Sequence, residues 1–226
     1  MNWKNLIVLI VAINTLGLLV ACQNRETLPE GENVVPEIEP TLAEPTAEPT
    51  AEPTAVPITE PTAIPESVMA PLPERSGPRT QTTGTVPHVQ IDVEPLTAVN
   101  DELYRRAFAL PGVENRPTIV SLPGARGMWL SDEIPVAYPS AIVSGREFAH
   151  IHPDGSLHLP LPYERALEAA EKGWAERHPW ADEREGWEGF VMLFTPQSMD
   201  ELDVIFQLIV ESYNYVTGQA VQVSDF

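Results

Sequence analysis

Four of the chain's five histidines surround one short turn sequence or follow it closely. His150 and His152 precede Pro153-Asp154-Gly155-Ser156, His158 comes just after it, and His178 follows in the next segment. A neutral imidazole offers a lone pair near pH 7, so such a group suits a divalent metal or a general base. Arg146 and Asp154 lie close enough in sequence to add a hydrogen-bonding group, and His178 would have to arrive across the fold. A hairpin register with His152 opposite His158 puts Ala149, Ile151, Leu157, Leu159 and Leu161 on one face. It gathers His150, His152, His158 and Phe148 on the other. A tight two-residue turn at Asp154-Gly155 would slip the pairing by one and split the histidines. The apolar alternation favours the first register. No carboxylate stands at ligand spacing within the strand itself, and histidines satisfied by backbone groups are the structural alternative.

The positioning elements follow from periodicity. His88 to Val93 alternates and predicts a short leading strand. Asn100 is placed to cap a helix carrying Leu103, Ala107 and Leu110, which Pro111-Gly112 ends. Strand-like runs follow at Thr118 to Leu122, at Gly127 to Leu130, and from Ala141 towards His152. The hairpin returns along Leu157 to Leu161. Tyr163 to about Arg177 reads as a helix with Ala166, Leu167, Ala170 and Trp174 on one face, and Phe190 to Phe194 as a buried strand. Ser198 with Glu201 is a capping-box signature. It opens a helix that buries Leu202, Ile205, Phe206, Ile209 and Tyr213 and closes near Gly218. Clustered strands with helices beside them predict a two-layer α+β domain, His88 to Phe226, with an antiparallel sheet and helices packed on one face.

The run from Gly145-Arg146-Glu147-Phe148-Ala149-His150 through His158-Leu159 resembles the core motif of a bacterial and fungal family known as the luciferase domain. Gly173-Trp174-Ala175-Glu176-Arg177-His178-Pro179 and Glu211-Ser212-Tyr213 extend the likeness, which covers roughly Leu110 to Gly218. The layout is also similar to the YjbR-like family, through Leu110-Pro111-Gly112-Val113-Glu114, the hairpin, His178-Pro179-Trp180 and the terminal helix. That second resemblance implies a two-layer α+β fold.

Upstream, Leu19-Val20-Ala21-Cys22 resembles the lipobox of bacterial lipoprotein precursors. It closes an apolar run from Leu6 that is short of a full membrane span and is led by Lys4. The resemblance implies a signal peptide over 1–21 and lipid attachment at Cys22, and two acyl chains give stable anchoring. The expected location is the cell membrane, facing outside the cytoplasm. Cys22 is the only cysteine, so disulfides and thiolate-ligated metals downstream are excluded. From 22 to 87 the Glu-Pro-Thr-Ala repeat (Glu44 to Ala55) dominates, with 13 of the 24 prolines and no aromatic residue. Such a stretch cannot bury enough apolar area to order itself, and it is read as a disordered tether.

The net charge of −20 repels phosphate backbones, which argues against nucleic-acid partners. Walker, Gly-x-Gly-x-x-Gly and Gly-x-Ser-x-Gly motifs are absent from the sequence. Two functions remain open. The favoured one, because no complete catalytic set is visible, is a lipid-anchored module that displays a site for a small-molecule or envelope ligand. The other is a small tethered enzyme, oxidative or hydrolytic, working from the histidine face. Whether it is an enzyme, its cofactors and any metal are unassigned by sequence.

Overall fold

The computed structural model describes residues 70–226. The segment 1–21 expected to be a signal peptide, Cys22 and the repeat lie outside the described residues. Among the described residues no helix is long and apolar enough to cross a membrane.

Six strands form one antiparallel sheet in the order β1-β2-β3-β4-β6-β5. They are β1 (Val113–Pro117), β2 (Arg126–Leu130), β3 (Glu147–Ile151), β4 (Leu157–Pro160), β5 (Ala175–Arg177) and β6 (Phe190–Leu193). Among the described residues three α-helices cover one face and share its core: α1 (Thr97–Ala107), α2 (Tyr163–Glu171) and α3 (Met199–Thr217). This is the α+β arrangement expected from the sequence.

The helix layer follows the apolar spacing. Val99, Leu103 and Ala107 of α1, Ala166 and Ala169 of α2, and the Leu202–Val216 stripe of α3 are buried with Leu157, Leu159, Val191 and Leu193 of the sheet. Burial of this kind stabilises at roughly 25 cal/mol per Å² of apolar surface. Helix α3 begins as the sequence predicts, with Ser198 Oγ accepting from Glu201 N–H at 3.1 Å. It ends at Gly218, whose φ of 72° is the left-handed cap that glycine adopts freely. The Glu201 carboxylate does not complete the box. It accepts instead from Gln197 N–H and from Arg75, at 2.9 and 2.8 Å.

Several elements differ from the sequence reading. Helix α1 starts at Thr97 with Leu96 as its cap, one turn before Asn100, because burying Val99 extends the apolar stripe upstream. The first strand is Val113–Pro117, and Thr118 to Leu122 instead loops away from it. The segment from Ala141 is strand only from Glu147, after a short 3-10 turn at Pro139–Ala141. Helix α2 ends at Glu171. Gly173, at φ 83°, reverses the chain, and Ala175–Arg177 joins the sheet edge as β5. Trp174 is buried there, off the helix, and donates to Pro73 C=O at 2.7 Å.

The expected leading strand at His88 to Val93 is reduced to one bridge, Thr82 to Gln90, and Asp92 takes a positive φ of 56°. The ordered domain also begins before His88. Leu72 is buried in the core, Arg75 donates to Thr195 C=O at 3.0 Å, and Thr82 Oγ1 donates to Glu176 at 2.7 Å. Once the repeat ends, residues such as Leu72 and Arg75 again have an apolar or charged partner to pair with. The boundary at 87 is therefore corrected to before Leu72.

Candidate functional site

The sheet's second face is polar, and it is built around the β3–β4 hairpin. Its loop is Pro153-Asp154-Gly155. Gly155 N–H donates to His152 C=O at 3.0 Å, His152 N–H donates to Ser156 C=O at 2.8 Å, and Gly155 has a φ of 82°. Three-residue hairpin loops use a left-handed glycine in this way. The resulting register pairs His150 with His158 and Ile151 with Leu157. This corrects the expected His152–His158 pairing by two residues. Side chains alternate with a period of two, so the slip preserves the faces. Ala149, Ile151, Leu157 and Leu159 enter the core, and His150, His152 and His158 stay together opposite it.

Two residues cross sides unexpectedly. Met128 pairs with Ala149 but Trp129 pairs with Glu147, so Phe148 is the extra residue of a β-bulge. Bulges re-aim side chains. Phe148 turns to the helices and packs edge-on against Tyr213, not beside the histidines as strict alternation implied. Glu147 swings to the histidine face, where it is 0% exposed. Its Oε1 meets His150 Nδ1 at 3.0 Å and accepts from Thr118 Oγ at 2.7 Å. A carboxylate is therefore present in the strand that seemed to have none within reach. Gly127 makes room for it opposite His150. A Cβ there would lie 2.5 Å from Trp129 Nε1 and 3.0 Å from Glu147 Cδ.

His88 comes from the arm that the sequence reading assigned to a leading strand. It is buried, stacks on His158 at 5.3 Å between ring centroids, and brings its Nδ1 to 3.1 Å from His158 Nε2. Its Nε2 lies 3.1 Å from Glu176 Oε1. His158 Nδ1 in turn lies 3.1 Å from His150 Nε2. A continuous chain Glu176–His88–His158–His150–Glu147 results. His152 stands beside it, its Nδ1 2.9 Å from Ser156 Oγ, which donates onward to Asp154 Oδ1 at 2.7 Å. His178 Nδ1 accepts from Trp180 N–H at 3.1 Å, and its ring meets His158 and His88 edge-on. All five histidines of the chain are buried in this one cluster.

The remaining expected residues divide. Asp154 orients His152 through Ser156 and accepts from Gln90 Nε2 at 3.2 Å, so it positions the turn. Arg146 is not part of the face: its guanidinium donates to the carbonyls of Leu130, Ser131 and Ile134 at 2.9, 2.7 and 2.5 Å. Glu176 entered the sequence reading only within the family motif and was given no site role, because it fell in a segment read as helix.

Above the histidines lies a cavity of about 450 Å³, walled by Trp187, Phe190, Leu122 and Val143 and floored by His88, His150, His152, His158 and His178. Trp187 and Phe190 stack at 4.3 Å, and Arg184 lies over Trp187 at 3.9 Å from its ring centroid. Val86, Val120 and Trp180 line it too and are partly exposed, which gives the opening an apolar rim. Burial lowers the His88 and His158 pKa values against the opposing pull of Glu176 on His88. Burial, then neighbouring imidazoles, lowers His152 and His178 to about 4. These rings are neutral at pH 7, and a ring nitrogen that neither carries a hydrogen nor accepts one can take a proton or a cation. Two triads bring one ring nitrogen apiece within 4.8 Å: His150, His152 and His158, and His88, His158 and His178.

Residues 145–212 match the family described as Luciferase domain. The chain is 30% identical over 168 residues to the luciferase of Armillaria mellea, covering 65% of this chain and 62% of that protein. It is also 30% identical over 167 residues to the luciferase of Armillaria ostoyae and 28% over 173 residues to that of Neonothopanus nambi. The chain spans about 62% of the length of these curated relatives. No solved structure matches it.

Proposed function

We propose, from the premise that this chain carries a Luciferase domain at residues 145–212, that it is an enzyme acting on a small molecule held over the histidine floor. One observation carries the reading: every histidine of the chain converges on a single cavity of about 450 Å³. That volume falls within the ~300–1,000 Å³ of small-ligand sites. Five imidazoles in a binding surface without chemistry would be a costly choice, since buried polar groups must all be satisfied. The aromatic walls and apolar rim suit a flat, largely apolar molecule, and the imidazoles suit one that must lose or gain a proton.

The relatives are named luciferases, which favours the oxidative member of the two activities considered from sequence. The test is light emission and oxygen uptake by the purified chain, supplied with the substrate of the Armillaria and Neonothopanus proteins. Turnover that is lost in His158→Gln supports the reading. Binding without turnover would make the domain a ligand-display module, and no binding at all would remove the proposal.

The same reading includes the anchor. The Leu19-Val20-Ala21-Cys22 sequence supports lipidation at Cys22 and display outside the cytoplasm on the Pro-rich tether. Labelled palmitate should enter the native chain and not Cys22→Ser. Equal labelling of both would overturn this part.

A further inference from the structure

The hydrogen bonds across the cavity floor do not balance. Four contacts run from Glu176 to His88, to His158, to His150 and to Glu147, each at 3.0–3.1 Å. Every contact needs one hydrogen, and three neutral imidazoles supply three. The carboxylates bring none. Thr82 and Thr118 already donate to the same two oxygens, as they do to acceptors. The array is short of one positive charge.

Its location follows from the two ends. Ring N–H groups aimed at carboxylates make the stronger, charge-assisted bonds, so His88 holds its hydrogen on Nε2 and His150 on Nδ1. His158 has one hydrogen left for two His–His contacts, and whichever it does not serve sets two lone pairs face to face. At the His88 contact the third ring nearby is His178. Its Nδ1 accepts from Trp180 N–H, so its hydrogen sits on Nε2 and no lone pair remains. At the His150 contact the third ring is His152. Its Nδ1 is engaged by Ser156, and Nε2 keeps its lone pair. Lone pairs are therefore left on His150, His152 and His158, which bring one ring nitrogen apiece within 4.8 Å of one another.

We propose that His150, His152 and His158 form a three-imidazole site for a divalent first-row transition metal, with an open position facing the cavity. The ion replaces the missing charge between His150 Nε2 and His158 Nδ1. Those atoms are 3.1 Å apart, against about 3.3 Å for two nitrogens at tetrahedral bonds of ~2.05 Å. With the ion in place each ring is neutral and every N–H has an acceptor. His150 donates to Glu147, His152 to Ser156 and through it to Asp154, and His158 to His88 and through it to Glu176. Carboxylates behind ligating histidines are the usual outer shell of such centres. Nitrogen-only ligands and one open position suit zinc, cobalt or iron(II) better than magnesium or calcium.

The inference deepens the cavity reading, and its readout needs no substrate. The full chain, stripped with chelator, is titrated with Co²⁺ while visible d–d absorption is followed. One Co²⁺ per chain, displaced by Zn²⁺, is expected. His150→Gln and His152→Gln should weaken uptake by more than ~100-fold, and Glu147→Gln, an outer-shell change, by ~10–100-fold. His178→Gln should leave it unchanged. Circular dichroism checks that each variant is folded, and Glu147→Gln serves where a ligand variant is not. No uptake by the stripped native chain overturns the proposal. So does uptake that survives His150→Gln or disappears with His178→Gln. A failed turnover assay alone counts against the enzyme reading and leaves this titration to decide the metal.

Discussion

On β4, neighbouring residues enter two different worlds. Leu159 points into the helix layer among Leu157, Val191 and Leu193, and His158 points the other way into a ring of imidazoles. The helix side is closed by regular elements whose apolar spacing dictates their packing. The histidine side is covered by chain without regular structure: the arm around His88, the loop from Thr118 to Leu122 and the segment from His178 to Trp187. An apolar layer tolerates many side chains of suitable volume. A polar layer needs each donor and acceptor placed individually, and irregular backbone gives the freedom to do so. The first face holds the domain together, and the second holds charge and lone pairs ready.

Acid separates the two faces most strongly. In chelator-treated protein, His152 and His178 titrate near 4 folded and near 6.5 unfolded. Between those values the unfolded chain binds more protons, so stability falls as pH falls. The slope is about 1.4 kcal/mol per pH unit for each histidine, and it levels off above pH 6.5 and below pH 4. Urea midpoints taken across this window should follow that course. A flat profile would mean the rings are charged in the fold.

Substitution on β4 gives the next largest contrast. Leu159→Ala should cost about 2–5 kcal/mol of unfolding free energy. His158→Leu keeps the bulk but leaves His88 Nδ1 and His150 Nε2 without their partner at the cavity floor, so it should cost about 1–3 kcal/mol, less than Leu159→Ala, while Co²⁺ uptake is lost. Denaturant titration of both variants decides it. Equal destabilisation would make the histidine face a structural core like the other.

How far these faces could be read from sequence depends on what fixes each residue. The helix stripe of α3 and its Ser198 cap were legible because both are local. The hairpin faces were legible although the register was off by two, since parity survives such a slip. The bulge at Phe148 was invisible, because alternation alone put Glu147 on the wrong side. His88 and Glu176 were missed for a related reason. One lies in an arm whose composition fades from the tether, and the other in a strand that looked like the continuation of a helix. Each is positioned by partners distant in sequence: His88 by His158 and Glu176 by Thr82.

Gly127→Ala probes that bulge directly. The new methyl would meet Trp129 Nε1 and the Glu147 carboxylate, both side chains. Overpacking of this kind costs about 1–3 kcal/mol. The displaced carboxylate should also lower Co²⁺ affinity, a change that a purely structural strain would not bring. Unfolding and titration on the same sample separate the two effects.

The smallest expected effect belongs to the helix face. Ser198→Ala removes the hydroxyl that accepts from Glu201 N–H and should cost about 1 kcal/mol. Glu201 is held elsewhere, by Arg75 and by Gln197 N–H, so the remaining first-turn contacts survive and limit the loss. Ser198 sits at the start of α3, and the histidines lie across the sheet from it. Co²⁺ affinity should therefore be unchanged while the urea midpoint shifts. A parallel fall in affinity would mean that helix α3 and the histidine floor move as one unit, and that the sheet does not insulate its two faces.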